Sequence, residues 1–131
     1  MKLIVNSNMP FSYIIQKDKS AGFYFYVYIG NFCVKDYLQD TFESAAEQAV
    51  REFGVSRDSW RKKGNCQRWD AKTPKQAVDF IVQPERGESV VFEIKQKEKT
   101  LYRRSFENAF IAKNFAFEKF GVTPNLWRLL S

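Results

Sequence analysis

The stretch FGVSRDSWR (residues 53–61) returns as FGVTPNLWR (residues 120–128). Five of the nine positions are identical, both tryptophans included, and the pairs Ser56/Thr123 and Asp58/Asn125 are chemically close. The offset is 67 residues. It also places Ile14 on Ile81, Gln16 on Gln83, Phe25 on Phe92, Ala45 on Ala112 and Ala49 on Ala116. Self-similarity at a fixed period marks a repeated structural unit. The chain therefore reads as an α+β fold made by tandem internal duplication. Each copy is a three-stranded antiparallel sheet plus a helix and ends in a short Trp-bearing helix. The middle departs from this offset: FESA (42–45) matches FENA (106–109) better at 64. That implies a shorter hairpin and a helix about one turn longer in the second copy.

Working outward from the repeated stretch, Gly54 and Gly121 suit the left-handed position that ends a helix. Asp40 or Thr41 caps the first helix, which reaches Phe53. Glu43, three residues after Asp40, completes a capping box. Ser105 caps the second helix, which reaches Phe120. Ser56 caps a short helix carrying Trp60, and Thr123-Pro124 opens one carrying Trp127. Both rings are expected to cover the core. FSYIIQ (11–16), FYFYVYI (23–29) and residues 32–38 read as strands, joined by the polar turn KDKSAG (17–22) and the two-residue turn Gly30-Asn31. VDFIVQ (78–83), VVFEIK (90–95) and residues 99–104 are their counterparts, although Thr73-Pro74 is also a helix-start signal. KLIV (2–5) adds a strand, and residues 61–75 read as a linker. The expected organisation is one compact domain over residues 1–131, with the first repeat unit at 1–64 and the linker and second repeat unit at 65–131.

Thirteen Phe, six Tyr and three Trp supply bulk for a firm core. The chain has no histidine, which removes the commonest general base and metal ligand. Two cysteines are too few for a zinc site. The opening MKLIVNSNMP lacks the pattern of a secretory leader, so Cys33 and Cys66 are expected as free thiols in the cytoplasm. No apolar run approaches the ~20 residues that span a membrane. No catalytic residue, metal or cofactor is assigned. The net charge of +6 sits in two blocks, residues 51–75 and 95–131 at +5 each, in an otherwise slightly acidic chain.

DFIVQPERGESVVFEIK (79–95) resembles the core of the PD-(D/E)xK nucleases. There an Asp opens one strand, and an acidic-x-Lys triplet ends the next. The resemblance implies magnesium held by Asp79 and Glu93, with Lys95 orienting a water. The repeat sets a rival explanation beside it, since the offset places Ser12, Tyr26 and Tyr28 at those three positions. The sheet-then-helix plan is also similar, in topology alone, to AP2-type and integrase-arm DNA-binding modules.

Two surfaces stand out as binding sites. On residues 23–29, Phe23, Phe25, Val27 and Ile29 face one way, and Tyr24, Tyr26 and Tyr28 the other. In the second copy Val91, Glu93 and Lys95 share the tyrosine register, which places that register toward solvent or a partner. Counting through the Gly30-Asn31 turn pairs Tyr26 with Lys35 and Tyr24 with Tyr37. Tyrosine beside lysine on a sheet can stack bases and hold phosphate; it also suits a protein interface or a homodimer. The second surface is the basic run Arg57, Arg61, Lys62, Lys63 and Arg68, interleaved with Trp60 and Trp69. The leading expectation is a non-enzymatic binding protein engaging nucleic acid or a nucleoprotein, with no membrane association. The alternatives are a protein-binding inhibitor or adaptor of the phage or mobile-element kind, such as an anti-CRISPR protein, and a metal-dependent nuclease.

Overall fold

The alternation in FYFYVYI becomes a strand whose Phe25, Val27 and Ile29 are fully buried. A computed structural model describes residues 1–65 and 67–130. It is α+β, with antiparallel strands and two helices. The chain divides into two compact units, Pro10–Lys75 and Met1–Met9 with Gln76–Ser131. Two long strands, β1 (Lys2–Asp18) and β5 (Arg68–Pro84), each give one part to either unit. KLIV and FSYIIQ are thus one strand, not two. Proline lacks an N–H but tolerates extended backbone, and the Pro10 carbonyl stays in use, accepting from Gly30 N–H at 2.9 Å. Thr73-Pro74 likewise lies inside β5 and starts no helix.

In the unit Pro10–Lys75, β1 pairs with β2 (Gly22–Ile29), and β2 with β3 (Phe32–Gln39). The Asp18 carboxylate closes the first turn by accepting from the N–H groups of Ser20 and Ala21. Gly30 takes the second at φ 59°. Helix α1 (Phe42–Phe53) lays Ala45, Ala46, Ala49 and Phe53 on the sheet. Phe53 meets Phe25 at 5.9 Å and Tyr13 at 5.9 Å between ring centres. Thr41 is the cap, accepting from Ser44 N–H. Glu43 makes no capping box and instead binds Arg57 at 2.8 Å. Gly54 ends the helix at φ 68°. The Trp60 segment is one 3-10 turn, Arg57–Ser59; Trp60 follows it and packs on Phe25 and Phe42. The expected linker is a hairpin, in which β4 (Arg61–Lys62) pairs with β5.

The other unit has the same order of elements. β5 pairs with β6 (Val90–Gln96), and β6 with β7 (Lys99–Phe106). Helix α2 (Ala109–Phe120) follows, then a 3-10 turn (Pro124–Leu126) and β8 (Arg128–Leu130), which pairs with β1. Phe120 meets Phe80 at 5.5 Å and Phe92 at 6.2 Å. Helices, caps, turns and third strands recur at a spacing of 67, and both helices have 12 residues. The helix starts at Asn108, whose side chain accepts from Ile111 N–H, and not at Ser105, which lies in β7. The offset of 64 at FESA/FENA is therefore a coincidence of composition. Trp127 follows its 3-10 turn and is half-buried.

The β2–β3 and β6–β7 hairpins each carry a bulge that sequence counting misses. Val27 pairs with Lys35 but Tyr28 with Cys33, leaving Val34 unpaired; Leu101 is skipped in the same way. Both extra residues are buried. A bulge adds one residue and shifts register beyond it. Tyr26 therefore pairs with Asp36 and Tyr24 with Leu38, and Tyr37 lies opposite Phe25, stacked on it at 5.7 Å. The register shared by Val91 and Glu93 is also not open: they are 3% and 4% exposed, and Glu93 accepts from Gln83 at 2.8 Å. Buried carboxylates need such partners. Helix α2 leaves Phe110, Ile111 and Phe117 exposed. Among the described residues, no helix is long and apolar enough to cross a membrane. Cys33 is a free thiol, and Cys66, expected as a second, lies outside the described residues.

Two expectations follow. A side chain at Gly54 or Gly121 would meet nothing within 4 Å, so alanine there costs only the left-handed backbone, about 1–2 kcal/mol at each site. At Gly22 (φ 112°) an added Cβ would also press into the Gln39 carbonyl oxygen. Urea denaturation should rank Gly22→Ala below both others; equal losses at all three would refute this account. Burial, with Glu52 and Asp36 nearby, also pushes the Tyr37 phenol above its ordinary value of 10.0. Stability from the neutral phenol is fully present below the unfolded value, about pH 10, and lost as pH rises through the folded one. The denaturation midpoint of Tyr37→Phe should fall less than the parent's above about pH 10; parallel curves would count against it.

Candidate nucleic-acid interface

In the unit Pro10–Lys75 the helix closes one face of the strands, so the chemistry lies on the other. Pairing sets Ser12 opposite Tyr28, Ile14 opposite Tyr26 and Gln16 opposite Tyr24. On the far side of β1, Lys17 N–H donates to the Gln67 carbonyl at 2.8 Å. The Tyr13 hydroxyl bonds Thr73 Oγ1 at 3.1 Å on the helix side. The alternation of β5 then puts Arg68, Asp70 and Lys72 on the face of Ser12 and Ile14. Arg61 lies opposite Asp70, and Lys63 N–H donates to the Arg68 carbonyl at 2.9 Å. Across this face run the tyrosine row, the Ser12–Ile14 row, the Arg68–Lys72 row and the edge cations Arg61 and Lys63.

The residues singled out from sequence separate into groups. Tyr24, Tyr26 and Tyr28 lie together, half-exposed. Tyr24 and Tyr26 stack on each other at 5.8 Å, whereas Tyr28 has no ring partner among the described residues. Burial, helped by Tyr24 and Asp36, holds the Tyr26 phenol above its usual range. Arg61, Lys63 and Arg68 join this face. Arg68 grips Asp70 through two bonds of 2.9 and 3.3 Å. The Arg61 guanidinium donates to the carbonyls of Asp58 and Trp60. The remaining candidates sit elsewhere. Trp69 packs on Phe42 at 4.6 Å, and the Lys62 ammonium lies over its ring at 5.8 Å. Tyr37 is on the helix side, Lys35 pairs opposite Val27, and Arg57 is neutralised by Glu43.

Sequence reasoning missed Lys72, Asp70, Ser12, Ile14 and Asn31. These residues line a cleft of about 220 Å³ together with Tyr28 and Arg68. A second hollow of about 320 Å³, lined by Arg61, Lys63, Asp70 and Lys72, continues from it. The usable signal was the alternation of Arg68, Asp70 and Lys72, which has meaning only once residues 68–72 are a strand. Arg61, Lys63 and Lys72 have no carboxylate partner among the described residues. Three uncompensated cations beside a tyrosine row can hold phosphates while rings stack on bases.

The nuclease-like triplet lies in the other unit. Asp79 pairs directly with Lys95, and Glu93 pairs with Ile81, so all three share one face. The Asp79 carboxylate accepts from the Asn6 amide, and Arg103 approaches Glu93 at 3.9 Å. Among the described residues, no three acidic, cysteine or histidine side chains gather as a metal-binding group. No protein-family model matches the chain, and neither a curated protein nor a solved structure does so.

Proposed function

We propose that the chain is a non-enzymatic cytoplasmic binding protein that engages nucleic acid, or a nucleoprotein, through the tyrosine-and-cation face of the unit Pro10–Lys75. The observation that carries this reading is the set Arg61, Lys63 and Lys72, unpaired with any carboxylate among the described residues and on the same face as Tyr24, Tyr26 and Tyr28. A solvated cation strip made for solubility alone needs no aromatic row beside it. A strand of nucleic acid uses both, phosphates on the cations and bases on the rings. The element order repeated at 67 residues supports an internal duplication in which one copy acquired this face. The free Cys33 thiol fits a reducing compartment.

A protein-binding inhibitor or adaptor is the second reading, and one observation favours it. Phe110, Ile111 and Phe117 are exposed on α2, where α1 has Glu43, Ser44 and Val50 at the corresponding positions. Exposed apolar patches mark interaction surfaces.

Labelled DNA and RNA titrated at low salt test the first reading. Affinity should fall steeply as salt rises, because phosphate contacts release counterions. The double variant Arg61→Ala/Lys63→Ala should weaken binding to all sequences and reduce the salt slope by about 2. Lys62→Ala, on the opposite side over Trp69, should change little. No binding at micromolar protein would remove this reading and promote the inhibitor. The nuclease resemblance is tested separately. Incubation with magnesium should leave DNA and RNA intact; cleavage that Glu93→Gln abolishes would overturn the non-enzymatic assignment.

A further inference from the structure

The cleft beside Tyr28 adds a more specific demand to the reading above, on which it rests. Its walls have a definite chemistry. Ile14 makes an apolar floor, and the Tyr28 ring, half-exposed and without a ring partner among the described residues, stands beside it. Ser12, Asn31 and Asp70 supply polar groups at the rim. The Lys72 ammonium has no carboxylate partner among the described residues, and it lines both this cleft and the neighbouring cationic hollow. Asp70 holds Arg68, yet a carboxylate has roughly four lone-pair sites, so it can still accept from another N–H.

We propose that this cleft is the anchor for one unpaired nucleobase of a single-stranded nucleic acid, stacked on Tyr28, with its phosphate toward Lys72 and the strand continuing over Lys63 and Arg61. A flat ring needs the aromatic wall and apolar floor. Its polar edge needs the amide of Asn31 and the carboxylate of Asp70. Its phosphate needs the cation at the mouth. A base inside a duplex is stacked and paired and cannot enter. Stacking platforms tolerate any base, because every base offers a π-face. The preference is therefore for strandedness, with weak preference for sequence. The Tyr24–Tyr26 stack, farther along the same row, extends the platform beyond the anchoring base.

The test is fluorescence anisotropy of the full chain with labelled single strands of about ten nucleotides and with hairpin duplexes of matched charge. Single strands should bind about tenfold more tightly than duplex. Tyr28→Ala should lower single-strand affinity about tenfold and leave duplex affinity and salt slope unchanged. Tyr28→Phe should retain single-strand binding, because the ring stacks and the hydroxyl does not. Tyr28→Leu, which preserves apolar bulk for folding but has no π-face, should behave like Tyr28→Ala. Single-strand binding unaffected by Tyr28→Leu would overturn the anchor, as would equal affinity for single strand and duplex. In either case binding weakened by Arg61→Ala/Lys63→Ala would leave the broader nucleic-acid reading standing. Failure of the parent chain to bind any strand would remove both.

Discussion

The contact between the middle of a strand and the last residue of a helix governs each unit. Phe25 meets Phe53, and Phe92 meets Phe120, at 5.9 and 6.2 Å. Phe53 and Phe120 each close a helix immediately before a glycine in the left-handed conformation. The N–H groups of Gly54 and Val55 return to the carbonyls of Val50 and Ala49. The chain thereby turns back toward the sheet, burying Val55 and then Trp60. A large ring removes roughly 150–250 Å² from water, so this turn is where much of the apolar driving force is collected. It also decides which face of each sheet is closed. What the units can do chemically depends on the opposite faces.

Those opposite faces differ. Where the first unit has Tyr24, Tyr26 and Tyr28, the second has Val91, Glu93 and Lys95. The tyrosines are half-exposed, whereas Val91 and Glu93 are buried, with Glu93 bonded to Gln83. The outer surfaces of the helices differ in the converse way. Glu43 on α1 binds Arg57, while its counterpart Phe110 on α2 is exposed to water. The same backbone therefore presents polar and aromatic groups on the sheet in one unit, and apolar groups on the helix in the other. The apolar patch on α2 costs solubility, which is consistent with a surface that has something to meet.

The local signals were legible in the sequence because their physics is local. Alternation in residues 23–29, the Gly30-Asn31 turn and the glycine helix ends each need only a few neighbouring residues to specify them. What was not legible depends on pairing between distant segments. Bulges at Val34 and Leu101 follow from the burial of one extra apolar residue, which no turn residue announces. The first one moved Tyr37 off the tyrosine face and Asp36 onto it. FENA resembled FESA by composition, but Asn108, not Ser105, had the free geometry to cap. Residues 61–75 looked like a linker because they are polar. Residues 61–62 and 68–75 are nevertheless strands, because β4 and β5 pair with each other and β5 lies against β1. Lys72 could be placed in the candidate site only after that pairing was known.

Pairing also explains why net charge was a poor guide to the site. Of the other cations in this unit, Arg57 is paired with Glu43 and Arg68 with Asp70. Lys62 and Lys17 lie over the rings of Trp69 and Phe23 on the helix side. Each of these engaged cations contributes to the +6 total, yet its field is compensated nearby or directed elsewhere. Arg61, Lys63 and Lys72 are different, because no carboxylate meets their charges among the described residues, and the Arg61 guanidinium donates only to the backbone carbonyls of Asp58 and Trp60. Unpaired charges at the surface interact over about 10 Å in ordinary salt. Three of them along neighbouring strands therefore act as one positive strip. That strip ends at the Tyr28 cleft, where Lys72 is shared between the two hollows, so an anion drawn along it is delivered beside an aromatic ring.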